Sequence, residues 1–296
     1  MPALFRPVLL IAMTLWLGAC ASLTRLPTPA VTEESRASLV LVSLNQQELE
    51  VDKPDVNAGG GLIGALIEAA AESTMDKNRQ EAIAPIRDAM IEMQPDALLV
   101  EQVRAHLPTR LVRPDAEIRV VRNAGALEEA LVGLDGNALV LTTRYAFDSE
   151  FRALYVRIQA AYGEVGMVRK GKGSAKPLHS TREQKTGKVV EASYHAQYPL
   201  RDYTGGFEAN VARWMESGGS SIRRALTGGI AEATALVGRD LGSPIVFDAQ
   251  RDPRKFLGFG YTAPIALKGA LIEEKDGRAL LGNGLLLVWT ETHAMD

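Results

Sequence analysis

The chain holds a single thiol, Cys20, and the residues before it define the chemistry open to it. Arg6 precedes a run from Val8 to Leu17 of apolar and small residues with one threonine, and Leu17-Gly18-Ala19 leads directly into Cys20. A basic start, a short apolar run and small residues before a cleavage point make a secretory signal. The run is about ten residues long, too short to cross a ~30 Å hydrocarbon core as a finished helix. Removing residues 1–19 takes away Arg6 and no acid, so the net charge moves from -3 to about -4.

Leu17 to Cys20 resembles the lipobox of bacterial lipoproteins. The resemblance implies that the thiol takes a diacylglyceryl group, that the chain is cut just before Cys20, and that the mature protein is a palmitate-type lipoprotein. Ala21 and Ser22 follow, with no Asp in first place. That pattern implies sorting to the outer membrane, with the body anchored on the periplasmic face of the cell envelope. Each buried CH₂ contributes about 0.8 kcal/mol, so several acyl chains make the membrane tether effectively permanent. With Cys20 acylated no thiol is left for a disulfide, although the periplasm permits one.

Other residue sets were weighed for chemistry. Gly59-Gly60-Gly61-Leu62-Ile63-Gly64 satisfies G-x-G-x-x-G, in which glycines let a backbone reach a pyrophosphate at a helix N-terminus. Here the preceding strand lies far upstream and no second strand delivers an acid, so no nucleotide is expected. Gly166 to Gly173 comes one residue from a phosphate loop but lacks the Ser/Thr that would hold magnesium. The histidines, His106, His179, His195 and His293, form no H-E-x-x-H, and no paired-cysteine or clustered-carboxylate set accompanies them, so neither metal nor other cofactor is expected. There is no G-x-S-x-G or S-x-x-K, and no catalytic residue is assigned. Asp148/Glu150 and Glu273/Glu274 sit at hairpin turns, where solvated carboxylates are expected.

Two sets point to binding instead. Arg169, Lys170, Lys172, Lys176, Arg182, Lys185 and Lys188 surround the lone acid Glu183, a basic patch on an acidic protein. It would attract anionic surfaces over about one Debye length, ~8 Å. Gly60, Gly61 and Gly64 open a helix that Leu62, Ile63, Leu66 and Ile67 make apolar over more than one face. Such a helix is either buried between layers or half exposed for a partner. It is the first expected docking or self-association face, and the basic patch the second.

The elements that must carry these residues follow from periodicity. With 46% hydrophobic and 23% charged residues the composition is that of a globular fold, and no basic excess suggests nucleic acid. Residues 20–37, with two prolines and no periodicity, read as a lipidated flexible tether. Ser38 to Leu44 reads as a buried strand, and helical spacing joins Ile83, Ile86 and Met90. Pro95 opens a helix that Pro108 closes. Glu117 to Val121 reads as a strand, and Ala124 to Leu134 as a short helix. Ala138 to Phe147 and Arg152 to Tyr162 form a long antiparallel hairpin about Asp148-Ser149. A further hairpin is expected over Leu178 to Gln184 and Val189 to Tyr198. Phe207 to Leu241 is helical, broken at Gly218-Gly219, with a stripe at Ile222, Leu226, Ile230, Ala233, Val237 and Leu241. Turns at Asp276-Gly277 and Asn283-Gly284 define a closing β meander.

The fold class is thus α+β (mixed α/β): a mixed sheet with long antiparallel hairpins packed by helices, plus a small C-terminal meander. The division is a signal at 1–19, the tether at 20–37, an α/β domain at 38–241 and a β-rich subdomain at 242–296. The element order resembles that of TolB N-terminal and CsgG-like envelope lipoproteins and of lipoprotein activators of peptidoglycan synthases. The resemblance implies an interaction or assembly factor for an envelope or cell-wall complex, with a periplasmic protein partner or self-association. The alternatives are a periplasmic hydrolase whose site has no motif and a lipid- or lipopolysaccharide-binding lipoprotein.

Overall fold

The computed structural model describes residues 32–33, 35–43, 50–51, 81–122, 124–132, 135–164, 189–201, 206–248, 251–259, 264–283 and 286–292. The fold is α+β, with one mixed sheet flanked by helices. Its strands are β1 (Ala37–Ser43), β2 (Glu50–Val51), β3 (Val112–Val121), β4 (Asn137–Phe147), β5 (Ala153–Glu164), β6 (Val189–Pro199), β7 (Pro253–Phe259), β8 (Pro264–Lys275), β9 (Arg278–Gly282) and β10 (Leu287–Glu291). The helices are α1 (81–92), α2 (Pro95–His106), α3 (Ala124–Leu131) and α4 (Phe207–Gly242). Strand order is β3-β1-β4-β5-β6-β10-β9-β8-β7, with β2 pairing on β4.

One half of the sheet is parallel: β1 lies between β3 and β4 and runs with both. A parallel strand must be covered on two faces, and β1 is an unbroken apolar run from Leu39 to Val42 for that reason. Val40 and Val42 enter the main core with α1, α2 and α4, while Leu39 and Leu41 enter a second core with Leu127 and Leu131 of α3. The centre is antiparallel. β4 and β5 pair from Asn137↔Glu164 to Phe147↔Leu154, and β5 pairs with β6 from Ala153↔Pro199 to Gly163↔Val189. The expected arm over 178–184 lies outside the described residues; its expected partner, β6, runs the whole length of β5.

The β4–β5 turn corrects one expectation. Asp148 is buried, and its carboxylate accepts from the Arg152 backbone N–H at 2.6 Å and from Arg152 Nε at 2.7 Å. Phe151, at φ 55°, is buried against Phe147 and its carbonyl accepts from Trp214 Nε1 at 2.8 Å, so Asp148 is drawn into the core while Ser149 and Glu150 stay half-buried. Glu273 also has a partner, the guanidinium of Arg239.

α4 is two helices in one. Ser217, Gly218 and Gly219 have φ of 53°, 66° and 77°, a left-handed stretch at the expected break. The expected stripe from Ile222 to Leu241 is buried throughout, on β5 and β6. The helix comes close because Gly228 and Gly229 face the sheet. A Cβ on Gly229 would lie 2.6 Å from Val156 Cγ2, and one on Gly228 would lie 2.2 Å from the Tyr198 hydroxyl.

The strands after Leu241 join the same sheet. β10 lies parallel against β6, with Leu287↔Tyr194, and turns antiparallel onto β9, then β8, then β7. β7 carries no clear signal in the sequence, since Pro253, Arg254, Lys255 and Gly258 interrupt its alternation. Among the described residues no helix is long and apolar enough to cross a membrane.

Candidate functional site

Among the described residues β3 pairs with β1 alone and stands at the edge of the sheet. Its first half departs from the ladder: Ala37 pairs with Val112 but Leu39 with Glu117, so residues 113–116 bulge out around Pro114. Residues 117–121 are the regular part. Glu117, Arg119 and Val120 are exposed there, Val120 at 37% of its surface. Strand alternation sends Glu117 and Arg119 to one face and Ala116, Ile118 and Val120 to the other. On the charged face Arg119 grips Glu117 with two bonds of 2.6 Å, Nε to Oε1 and Nη2 to Oε2. That hydrogen bonding lowers the carboxyl pKa and raises the guanidinium pKa.

The apolar face of this edge borders an open cleft of about 560 Å³ against α2. Ala97, Val100 and Val120 form its apolar lining, and Asp96, Glu101, Arg104 and Arg122 stand around it. Asp96 and Arg122 close one end as an ion pair. The helix is fixed from behind, where Leu99 and Val103 are buried in the main core.

A second cleft, of about 510 Å³, opens where β1, β3 and β4 begin, lined by Glu33, Arg36, Arg113, Asp115, Asp135 and neighbours. Four of its charges are matched within the chain: Arg36 with Glu33 at 2.9 Å and Arg113 with Asp115 at 3.2 Å. Glu33 and Asp115 are largely exposed.

The third polar set lies inside the sheet. Register places Arg144, Arg157 and His195 side by side on β4, β5 and β6. His195 is buried, with Nε2 2.9 Å from Ser193 Oγ. Burial, then the charge of Arg157, pushes the imidazole down to about 3. The imidazole is therefore neutral near pH 7. His106, exposed on the last turn of α2, is on a different element. Among the described residues no group of three or more His, Cys, Asp or Glu is placed to hold a metal.

The residues expected to bind are not among those described. Cys20, the helix of Gly60, Gly61, Leu62, Ile63, Gly64, Leu66 and Ile67, and the patch from Arg169 to Lys188 lie outside the described residues. The β3 edge and its cleft were not anticipated. A signal for them exists in residues 112–121: charges confined to one alternation and a proline within it, the mark of an edge strand.

No family model and no curated protein matches the chain. Among solved structures it is similar to the crystal structure of an uncharacterized protein, at 11% identity and a TM-score of 0.24, covering 72% of this chain and 99% of that one. It is also similar to the PelC dodecamer from Paraburkholderia phytofirmans, at 16% identity and a TM-score of 0.26, covering 73% of this chain and 94% of that one.

Proposed function

We propose that this chain is a lipoprotein of the outer membrane, anchored through Cys20 on the periplasmic face, that docks protein partners as an assembly factor of an envelope or cell-wall complex. The observation that carries the docking role is the β3 edge, with Glu117, Arg119 and Val120 exposed, and the α2 cleft beside it, with an apolar lining and charged walls. An edge strand gives affinity through main-chain hydrogen bonds, and pockets beside it give specificity through alternate side chains. The anchor is supported by Leu17 to Cys20 and by the unperiodic residues between Cys20 and β1. A hydrolase has less support, because the carboxylates of the polar cleft are ion-paired or open to water.

Two measurements test the proposal. Cys20→Ser should move the protein from the membrane pellet to the soluble fraction; unchanged pelleting would count against the anchor. A photo-crosslinking side chain at Val120 should give a discrete protein adduct in living cells, whereas one at buried Val103 should not. An empty result at Val120 would count against docking at this edge.

A further inference from the structure

We infer that the β3 edge is self-complementary and that its occupant is a second copy of this chain, paired antiparallel about Ile118. Resting on the docking role proposed above, the seam gives that role its partner.

In an antiparallel pair with a two-fold axis through Ile118, each residue meets the one equally far on the other side of that centre. Glu117 then stands opposite Arg119 of the second copy, and Arg119 opposite its Glu117. Within each chain the same two side chains already hold each other at 2.6 Å. The four charges therefore alternate in sign around a square, each carboxylate between two guanidiniums. On the other face Ile118, packed in part against its own core, meets its own copy, and Val120 lies beside that pair. These contacts continue the apolar lining of the cleft beside α2. Glu117, Arg119 and Val120 are exposed along the regular part of β3, where every residue from 117 to 121 is in register on β1.

The register is specified, not merely allowed. Sliding the pair to centre on Ala116 sets Asp115 against Glu117 and Arg113 against Arg119, like charges directly opposite, which destabilise a sheet. An edge protected only against pairing is blunted by proline, lysine or charges that repel their own copies. Here Pro114 guards the bulge, and the regular part carries one charge of each sign in the order that attracts a copy of itself.

The test uses the full-length chain in its own membranes. Ile118→Cys places two thiols on the axis, at a Cα separation of about 4.5–5.5 Å, within disulfide reach. Mild oxidation should give a disulfide-linked dimer that the chain without this substitution does not form. Adding Glu117→Arg, or Arg119→Glu, to Ile118→Cys should each cut the crosslinked fraction about tenfold, because the axis repeats every like-charge contact. Combining both reversals restores opposite charges and should recover the dimer. Both side chains are exposed, so thermal melts of the three variants should match one another. Absence of a dimer, single reversals without effect, or a double reversal that fails to recover would each overturn the seam. If the Val120 crosslink then captured a different protein, the docking role would stand while self-pairing fell.

Discussion

Arg278 of β9 holds Glu232 of α4 with two parallel bonds, Nε to Oε1 at 3.0 Å and Nη2 to Oε2 at 2.5 Å. The same guanidinium donates from Nη1 to the Gln197 carbonyl at 2.8 Å and lies 4.2 Å from the centroid of the Tyr198 ring. One side chain thereby joins the last strands, the central strand β6 and the long helix. Burial, with the nearby Glu232 charge, pushes the Tyr198 hydroxyl pKa up, so it stays protonated.

Truncating either partner leaves the other charge mostly buried and unmatched. Glu232→Ala or Arg278→Ala should each cost about 2–3 kcal/mol, read as a lower urea midpoint with the slope unchanged. The double variant should cost less than the two together, since the pair acts as a unit. Strict additivity would show that the two do not stabilise one another.

The joint between α4 and α2 depends on an absent side chain. A Cβ on Gly238 would sit 2.3 Å from the His106 carbonyl oxygen. Gly238→Ala should destabilise by about 1–3 kcal/mol through overpacking, although alanine is the better helix former. A gain in thermal stability would show that the helices yield at this point.

His195 sets an acid limit. The folded protein holds the imidazole neutral down to about 3, whereas the unfolded chain protonates it near 6.5. Between those values the unfolded state binds the extra proton. The contribution is complete above 6.5 and is lost as pH falls toward 3, with a slope of about 1.4 kcal/mol per pH unit. His195→Gln should flatten the pH dependence of unfolding across that window and leave it unchanged above 7. An identical acid profile in the variant would contradict the assignment.

Much of the fold is local and was legible in the residues. The apolar runs of β4 and β5 around Asp148-Ser149, the three- and four-residue steps from Ile222 to Leu241, and the Asp276-Gly277 turn each arise from contacts or dihedrals within one or two elements. Periodicity reports which face of an element is covered, and Gly218-Gly219 reports where a helix cannot continue. The expectation drawn from Leu17 to Cys20 belongs to the sequence alone, because it rests on residue types and not on a fold.

Tertiary structure decided what each covered face meets. Nothing local says that β1 lies between β3 and β4, or that β10 leaves its meander to run beside β6. Those neighbours are set by long-range packing, the cost of which is chain entropy that no single segment reveals. Asp148, polar at a turn, is buried because Phe151 and Trp214 draw the turn into the core and Arg152 supplies its bonds. Residues 112–121 hold alternating side chains in any strand; only the absence of a described neighbour beyond them turns Glu117 and Arg119 into an exposed edge.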